Sequence, residues 1–100
     1  MIHLPPEWLA MVQKILRFYA PPGRKVVAFG SRVTGKHLKK HSDLDICVMG
    51  DTPLDDLDKA DLRDAFSISR LPIRVDIVDW ARTDPSFQKI IESQCEEIPY

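Results

Sequence analysis

Apolar positions along the chain recur with two periods. Trp8, Val12, Ile15, Leu16 and Tyr19 follow helical spacing and predict one apolar stripe. Pro5 and Pro6 open that helix, where a missing N–H costs nothing, and Pro21, Pro22 and Gly23 end it. Val26 to Phe29 is an unbroken apolar run and predicts a short buried strand, stopped by Gly30. Residues 32–42 are polar and basic, and predict a loop or a broken helical turn. Leu44, Ile46 and Val48 then alternate with Asp43, Asp45 and Cys47, the period-two pattern of a strand. Thr52 with Pro53 marks a helix start, with Asp55 in its first turn. Leu54, Leu57, Leu62, Ala65 and Phe66 form the buried stripe of that helix, which ends near Ser69. Ile73 to Asp79 predicts a third strand. Asp84 and Pro85 cap a last helix whose buried side carries Phe87, Ile90 and Ile91. The predicted order is α-β-β-α-β-α, without repeats or a linker. It gives an α/β fold, a small mixed sheet flanked by helices.

Length narrows this to a single domain over residues 1–100. Such a chain has room for one core and one site, but not for a separate substrate-binding domain. A formal net charge of -1 excludes binding nucleic acid by bulk electrostatics, and no direct nucleic-acid contact is expected. The charge is unevenly spread. Arg24, Lys25, Arg32, Lys36, Lys39 and Lys40 crowd one region, and Asp51, Asp55, Asp56, Asp58, Asp61 and Asp64 the next. A basic loop beside an acidic helix suggests a local anion site, although two solvated faces are the commoner use of such runs. No apolar run has the length of a membrane span, and the N-terminus has no basic-then-apolar signal pattern, so the expectation is cytoplasmic. Cys47 and Cys95 have no zinc-ligand spacing, and no disulfide is expected.

The chemistry lies in "SDLDICV" and "RVDIVDW". Residues two apart on a strand share a face, with Cα atoms about 6.6 Å apart. Asp43 and Asp45 therefore project together, and two carboxylates that close repel unless a cation compensates them. Asp76 on the third strand is a third carboxylate if it shares their face. Asp79 is a rival, but alternation puts it opposite Asp76. Three hard oxygen donors suit magnesium or manganese. Gly30 lets backbone N–H groups approach a ligand closely, and Ser31 adds a hydroxyl. Together they suggest a phosphate turn beside a metal site. Arg32 joins Gly30 and Ser31 as a nucleotide-contact candidate, with surface salt bridges as the competing use of Arg32 and Arg74. His37, His41 and the loop lysines are read as surface residues, and Trp8 and Trp80 as core or interface groups.

The run "GSR…SDLD" followed by "RVDIVD" resembles the nucleotidyltransferase superfamily typified by DNA polymerase beta. More narrowly, it is similar to the minimal nucleotidyltransferases encoded beside a HEPN-domain partner, over essentially the whole chain. The resemblance implies that Gly30 and Ser31 hold nucleotide phosphates and that Asp43 and Asp45 bind two Mg2+ ions, with Mn2+ an alternative. It implies that Asp76 binds one ion and helps activate the attacking hydroxyl. Eleven residues separate Ser31 from Asp43, one more than the commoner gap. The implied reaction transfers AMP from ATP to a hydroxyl of the HEPN-domain toxin, with this chain as antitoxin. Two other classes compete. One is a module that binds a nucleotide, or only the HEPN-domain partner, without turnover. The other is an antibiotic-modifying or polymerase-type transferase, which needs an acceptor domain that this length does not provide. Donor base, acceptor and oligomeric state stay open.

Overall fold

The protein is described from a computed structural model covering residues 2–100. Helix α1 (Pro6–Tyr19) starts at its prolines, and the Pro5 carbonyl accepts from the N–H groups of Trp8 and Leu9. Strand β1 (Val26–Phe29) leads into a one-turn helix, α2 (Ser31–Thr34), and a polar loop precedes strand β2 (Leu44–Val48). Helix α3 (Asp56–Ser67) and strand β3 (Val75–Asp79) follow. A 3-10 turn at Trp80–Arg82, helix α4 (Pro85–Ser93) and a short strand β4 (Cys95–Glu97) complete the order.

The four strands form one mixed sheet, β3-β2-β1-β4. β1 is antiparallel to β2 and β4, while β2 and β3 run parallel, joined through α3. Alternation along the strands then makes two unlike faces. One carries Val26, Ala28, Leu44, Ile46 and Val48, packed with Val12 and Leu16 of α1 and Leu62 and Phe66 of α3. Leu16, Leu44, Ile46 and Leu62 are fully buried there, and each such burial stabilises the fold by about 1.5–3 kcal/mol. The other face is only partly covered. Val27, Phe29 and Cys47 pack against Ile91 of α4, with Val78 and Trp80 beside them. Towards its open end the same face carries Asp45 and Asp76.

Several element boundaries differ from the pattern-based expectation. β4 was not expected: its three residues include two glutamates and no apolar alternation, and its place rests on backbone pairing with β1. α3 begins four residues after Thr52, because Asp55 caps it by accepting from the Leu57 N–H at 3.0 Å. Leu54 is buried ahead of the helix, and Leu57 is 68% exposed instead of lying in its stripe. Tyr19 ends α1 half-exposed, and the third strand starts at Val75, two residues after Ile73. Cys47 is buried as expected. Burial, with Asp79 and Cys95 nearby, pushes its thiol up to about 12, and both cysteines are free.

Candidate active site

Backbone register builds the site. Asp45 on β2 stands directly opposite Asp76 on β3, and on its other side opposite Phe29 on β1. Phe29, Asp45 and Asp76 thus form one row across three strands, on the face that α4 partly covers. Asp43 lies just before β2 and is exposed. The Leu44 N–H, donating to the Arg74 carbonyl at 2.9 Å, ties the start of β2 to the approach of β3. This pairing brings Asp43, Asp45 and Asp76 to the same end of the sheet.

The electrostatics follow from that crowding. Burial, then the charges of Asp76 and Asp43, push the Asp45 carboxyl from its ordinary 3.8 up to about 6. Arg74 is the one cation seen near the cluster among the described residues. Its Nε lies 3.4 Å from Asp76 Oδ1 and 3.9 Å from Asp43 Oδ2. The side chain is 76% exposed, so it neutralises the two acids only weakly. Asp45 makes no ion pair with a basic side chain among the described residues.

Gly30 shows how tightly the turn after β1 meets the carboxylates. Its φ of 76° and ψ of -154° form a backbone state essentially confined to glycine. A Cβ there would stand 2.5 Å from Asp45 Oδ2. The Gly30 carbonyl accepts from the N–H groups of Val33 and Thr34, each at 3.0 Å, and so starts α2. Ser31 is the first residue of α2 and is half-buried.

Arg32 is a correction. The expectation placed it on the nucleotide, but it is 4% exposed and its donors are already committed. Nε and Nη2 donate to the Ser42 carbonyl at 3.2 and 3.0 Å, Nη2 also to Lys40 at 3.0 Å, and Nη1 to His3 at 3.0 Å. Its guanidinium lies 5.7 Å from the centre of the Trp8 ring. Arg32 fastens the basic loop to the N-terminal segment and does not reach the site. In that loop Lys36, His37, Lys39, Lys40 and His41 are exposed. The loop forms no helix, so its two histidines lack the helical spacing that would pair them.

Asp79, the rival third carboxylate, is 3% exposed and turned to the other face. Its Oδ2 accepts from the Leu54 N–H at 2.9 Å and lies 3.5 Å from Arg82 Nε. It braces the approach to α3. Phe87 and Ile90 were expected to be buried, yet they are 37% and 63% exposed. With Ser93 and Gln94 they wall a hollow of about 410 Å³ whose floor includes Phe29, Gly30 and Asp45.

The carboxylate row fits a divalent cation by donor chemistry and by charge. Its donors are all hard oxygens, and its central acid carries negative charge that nothing nearby offsets. As placed, no three acidic, histidine or cysteine side chains among the described residues close round a single point.

Residues 9–98 match the nucleotidyltransferase domain family. A protein of Haemophilus influenzae described as "Probable protein adenylyltransferase MntA" is 51% identical over 85 residues, 85% of this chain and 73% of that protein. The crystal structure of a toxin–antitoxin with AMP-PNP superposes with a TM-score of 0.74 at 25% identity, over 91% of this chain and 72% of that one. A mutant of the toxin–antitoxin MntA-HpeT superposes with a TM-score of 0.70 at 26% identity, over 96% and 72%. Among the described residues no helix is long and apolar enough to cross a membrane.

Proposed function

This chain belongs to the nucleotidyltransferase domain family, and we propose that it is the MntA-like antitoxin that adenylylates a HEPN-domain toxin. The donor is ATP and the acceptor a hydroxyl of the partner. The acceptor oxygen bonds to the α-phosphorus, the bond from that phosphorus to the β-bridging oxygen breaks, pyrophosphate leaves with the bonding pair, and the hydroxyl proton is released to solvent. The 51% identity to a protein described as an adenylyltransferase supports the reaction. The likeness to a toxin–antitoxin with AMP-PNP supports the donor and the setting.

One observation carries the reading: Asp45 Oδ2 stands only 2.5 Å from where a Gly30 Cβ would be, so nothing larger than glycine fits beside the carboxylate. A glycine there lets backbone N–H groups and the carboxylate meet one ligand at close range. Gly30 and Ser31 hold the phosphate tail against the row, through backbone approach and one hydroxyl. Asp43, Asp45 and Asp76 would hold two Mg2+ ions, with Mn2+ able to replace them, and bound ions would neutralise the phosphates and lower the pKa of the attacking hydroxyl. Asp76 orients the acceptor hydroxyl. Asp45 and Asp76 line different hollows, one walled by α4 and one between α3 and the edge strand β3. Donor and acceptor can therefore approach the row from two sides.

Incubation with ATP labelled on the α-phosphate, magnesium and the HEPN-domain partner tests this. The expected result is label on the partner and a mass increase of one adenylyl group at a hydroxyl side chain. Nucleotide binding with no label on the partner under magnesium or manganese would reduce the protein to a binding module.

A further inference from the structure

We infer that the acceptor docks on the free edge of β3: an extended segment of the partner adds to the sheet antiparallel to β3 and sets its hydroxyl side chain beside Asp76. This rests on the reading that the chain transfers a nucleotide to a partner's hydroxyl, and it names the surface that presents that hydroxyl. β3 is an outer strand, with β2 on one side and no strand on the other. Its residues Val75, Asp76, Ile77 and Val78 are all partly exposed. An outer edge of this kind is a ready template for pairing with another chain.

Hydrogen-bond parity decides which groups the edge offers. The Leu44 N–H donates to the Arg74 carbonyl, and Leu44 stands opposite Val75. In a parallel ladder of that register, Arg74, Asp76 and Val78 turn their backbone groups towards β2. The N–H and C=O groups of Val75 and Ile77 therefore point outwards, and none of them has a hydrogen-bond partner among the described residues. An antiparallel strand exchanges two hydrogen bonds with each of these residues. Its middle residue then faces Asp76 at a non-hydrogen-bonded position, where Cα atoms lie about 4.5 Å apart and side chains come closest. Phe29, Asp45 and Asp76 already form a row across three strands. The middle residue continues that row by one place, on the face that holds the carboxylates.

The other face constrains the neighbours of that residue. Side chains on either side of the acceptor point away from the carboxylates, over the hollow between α3 and β3. This hollow has a volume of about 440 Å³, and its lining includes Phe66, Leu71, Ile73, Val75 and Ile77. An apolar side chain next to the acceptor is buried there. Arg63 also lines the hollow; it is exposed and pairs with no carboxylate among the described residues. The segment that fits is a hydroxyl residue flanked by an apolar residue for the hollow and an acidic residue for Arg63.

Two measurements on the intact protein with its HEPN-domain partner and magnesium test this. Amide hydrogen exchange, with an ATP analogue whose α–β bridge cannot be cleaved, should slow at Val75 and Ile77 when the partner binds. Steady-state transfer of label from ATP should show a KM for the partner about tenfold higher in Val75→Pro, the scale of one lost hydrogen bond. Proline there removes an outward N–H and leaves the pairing with β2, which uses Asp76, in place. Val75→Thr keeps the N–H and should behave as the parent. Arg63→Glu should raise the same KM, and ATP affinity should be unchanged in all three variants. Parental KM in Val75→Pro and Arg63→Glu, with Val75 and Ile77 amides still exchanging freely in the complex, would overturn the assignment. An equal loss in Val75→Thr would also overturn it, since the edge N–H would not be the cause. Should Val75→Pro fail to fold, the amide exchange decides alone. A parent that labels no partner would instead refute the transferase reading itself.

Discussion

Asp45 gives the most direct physical prediction at the scale of single residues. Its carboxyl titrates near 6 in the folded protein, above its ordinary 3.8, chiefly through burial and then through Asp76 and Asp43. The native state therefore binds more protons than the unfolded chain between those values. Stability from this group is fully present below the lower value and is lost as pH rises through the upper one. Thermal melts of the metal-free protein should show stability falling across that window. Asp45→Asn should flatten the fall and raise the Tm at pH 7 while abolishing nucleotide transfer. A lower Tm at pH 7 would mean that the carboxylate holds the fold together. Gly30 and Ser31 should separate in the same way. Ser31→Ala deletes one neutral hydrogen bond and should weaken ATP by about 1 kcal/mol. Gly30→Ala places a methyl on Asp45 Oδ2 and a side chain in a strained backbone state, costing about 1–3 kcal/mol of stability as well as nucleotide affinity. Denaturant unfolding and ATP titration of both variants would show whether the two residues differ as required.

Elements show what a linear pattern can and cannot reveal. β1 was legible as an unbroken apolar run buried on both faces, and β2 and β3 because their alternation follows one buried face, which a slip of one residue would expose. That alternation also put Asp43, Asp45 and Asp76 on one side and Asp79 on the other. β4 was illegible because backbone pairing, not side-chain burial, makes it a strand. The role of Arg32 was hidden for a similar reason. Its partners are carbonyls of residues 3, 40 and 42, and carbonyls leave no mark in sequence. Phe87 and Ile90 read as core because an apolar residue on a helix looks the same whether it faces a neighbour or an open hollow. Arg32→Met should destabilise the protein by about 2–3 kcal/mol, the scale of losing charge-assisted hydrogen bonds. Arg32→Lys should not restore it, since an ammonium cannot reproduce the fork of donors. Urea unfolding of both variants measures this. Asp79→Ala should likewise cost about 1–3 kcal/mol by stranding the Leu54 N–H. Its transfer rate, measured where the variant is folded, should stay within a few-fold of the parent.

Over the whole molecule, a sheet with one covered and one half-open face keeps stability and chemistry apart. α1 and α3 supply the core on the covered face, while Asp45 and Asp76 share a row on the open face, Asp45 beside the hollow under α4 and Asp76 at the rim of the hollow between α3 and β3. Asp76 distinguishes a transferase from a nucleotide-binding module. On the proposed reading a binder can hold a triphosphate through Gly30, Ser31, Asp43 and Asp45, whereas transfer also needs Asp76 to complete the row at the acceptor side. A group that acts only in the transition state lowers kcat with little change in ground-state binding. The decisive measurement is therefore ATP titration and labelled-nucleotide transfer to the HEPN-domain partner on one preparation of Asp76→Asn. The predicted result is ATP–magnesium affinity within a few-fold of the parent, with transfer reduced at least about a hundredfold. Transfer at the parental rate by Asp76→Asn would contradict the account, because the carboxylate row would then have a member that the chemistry does not use.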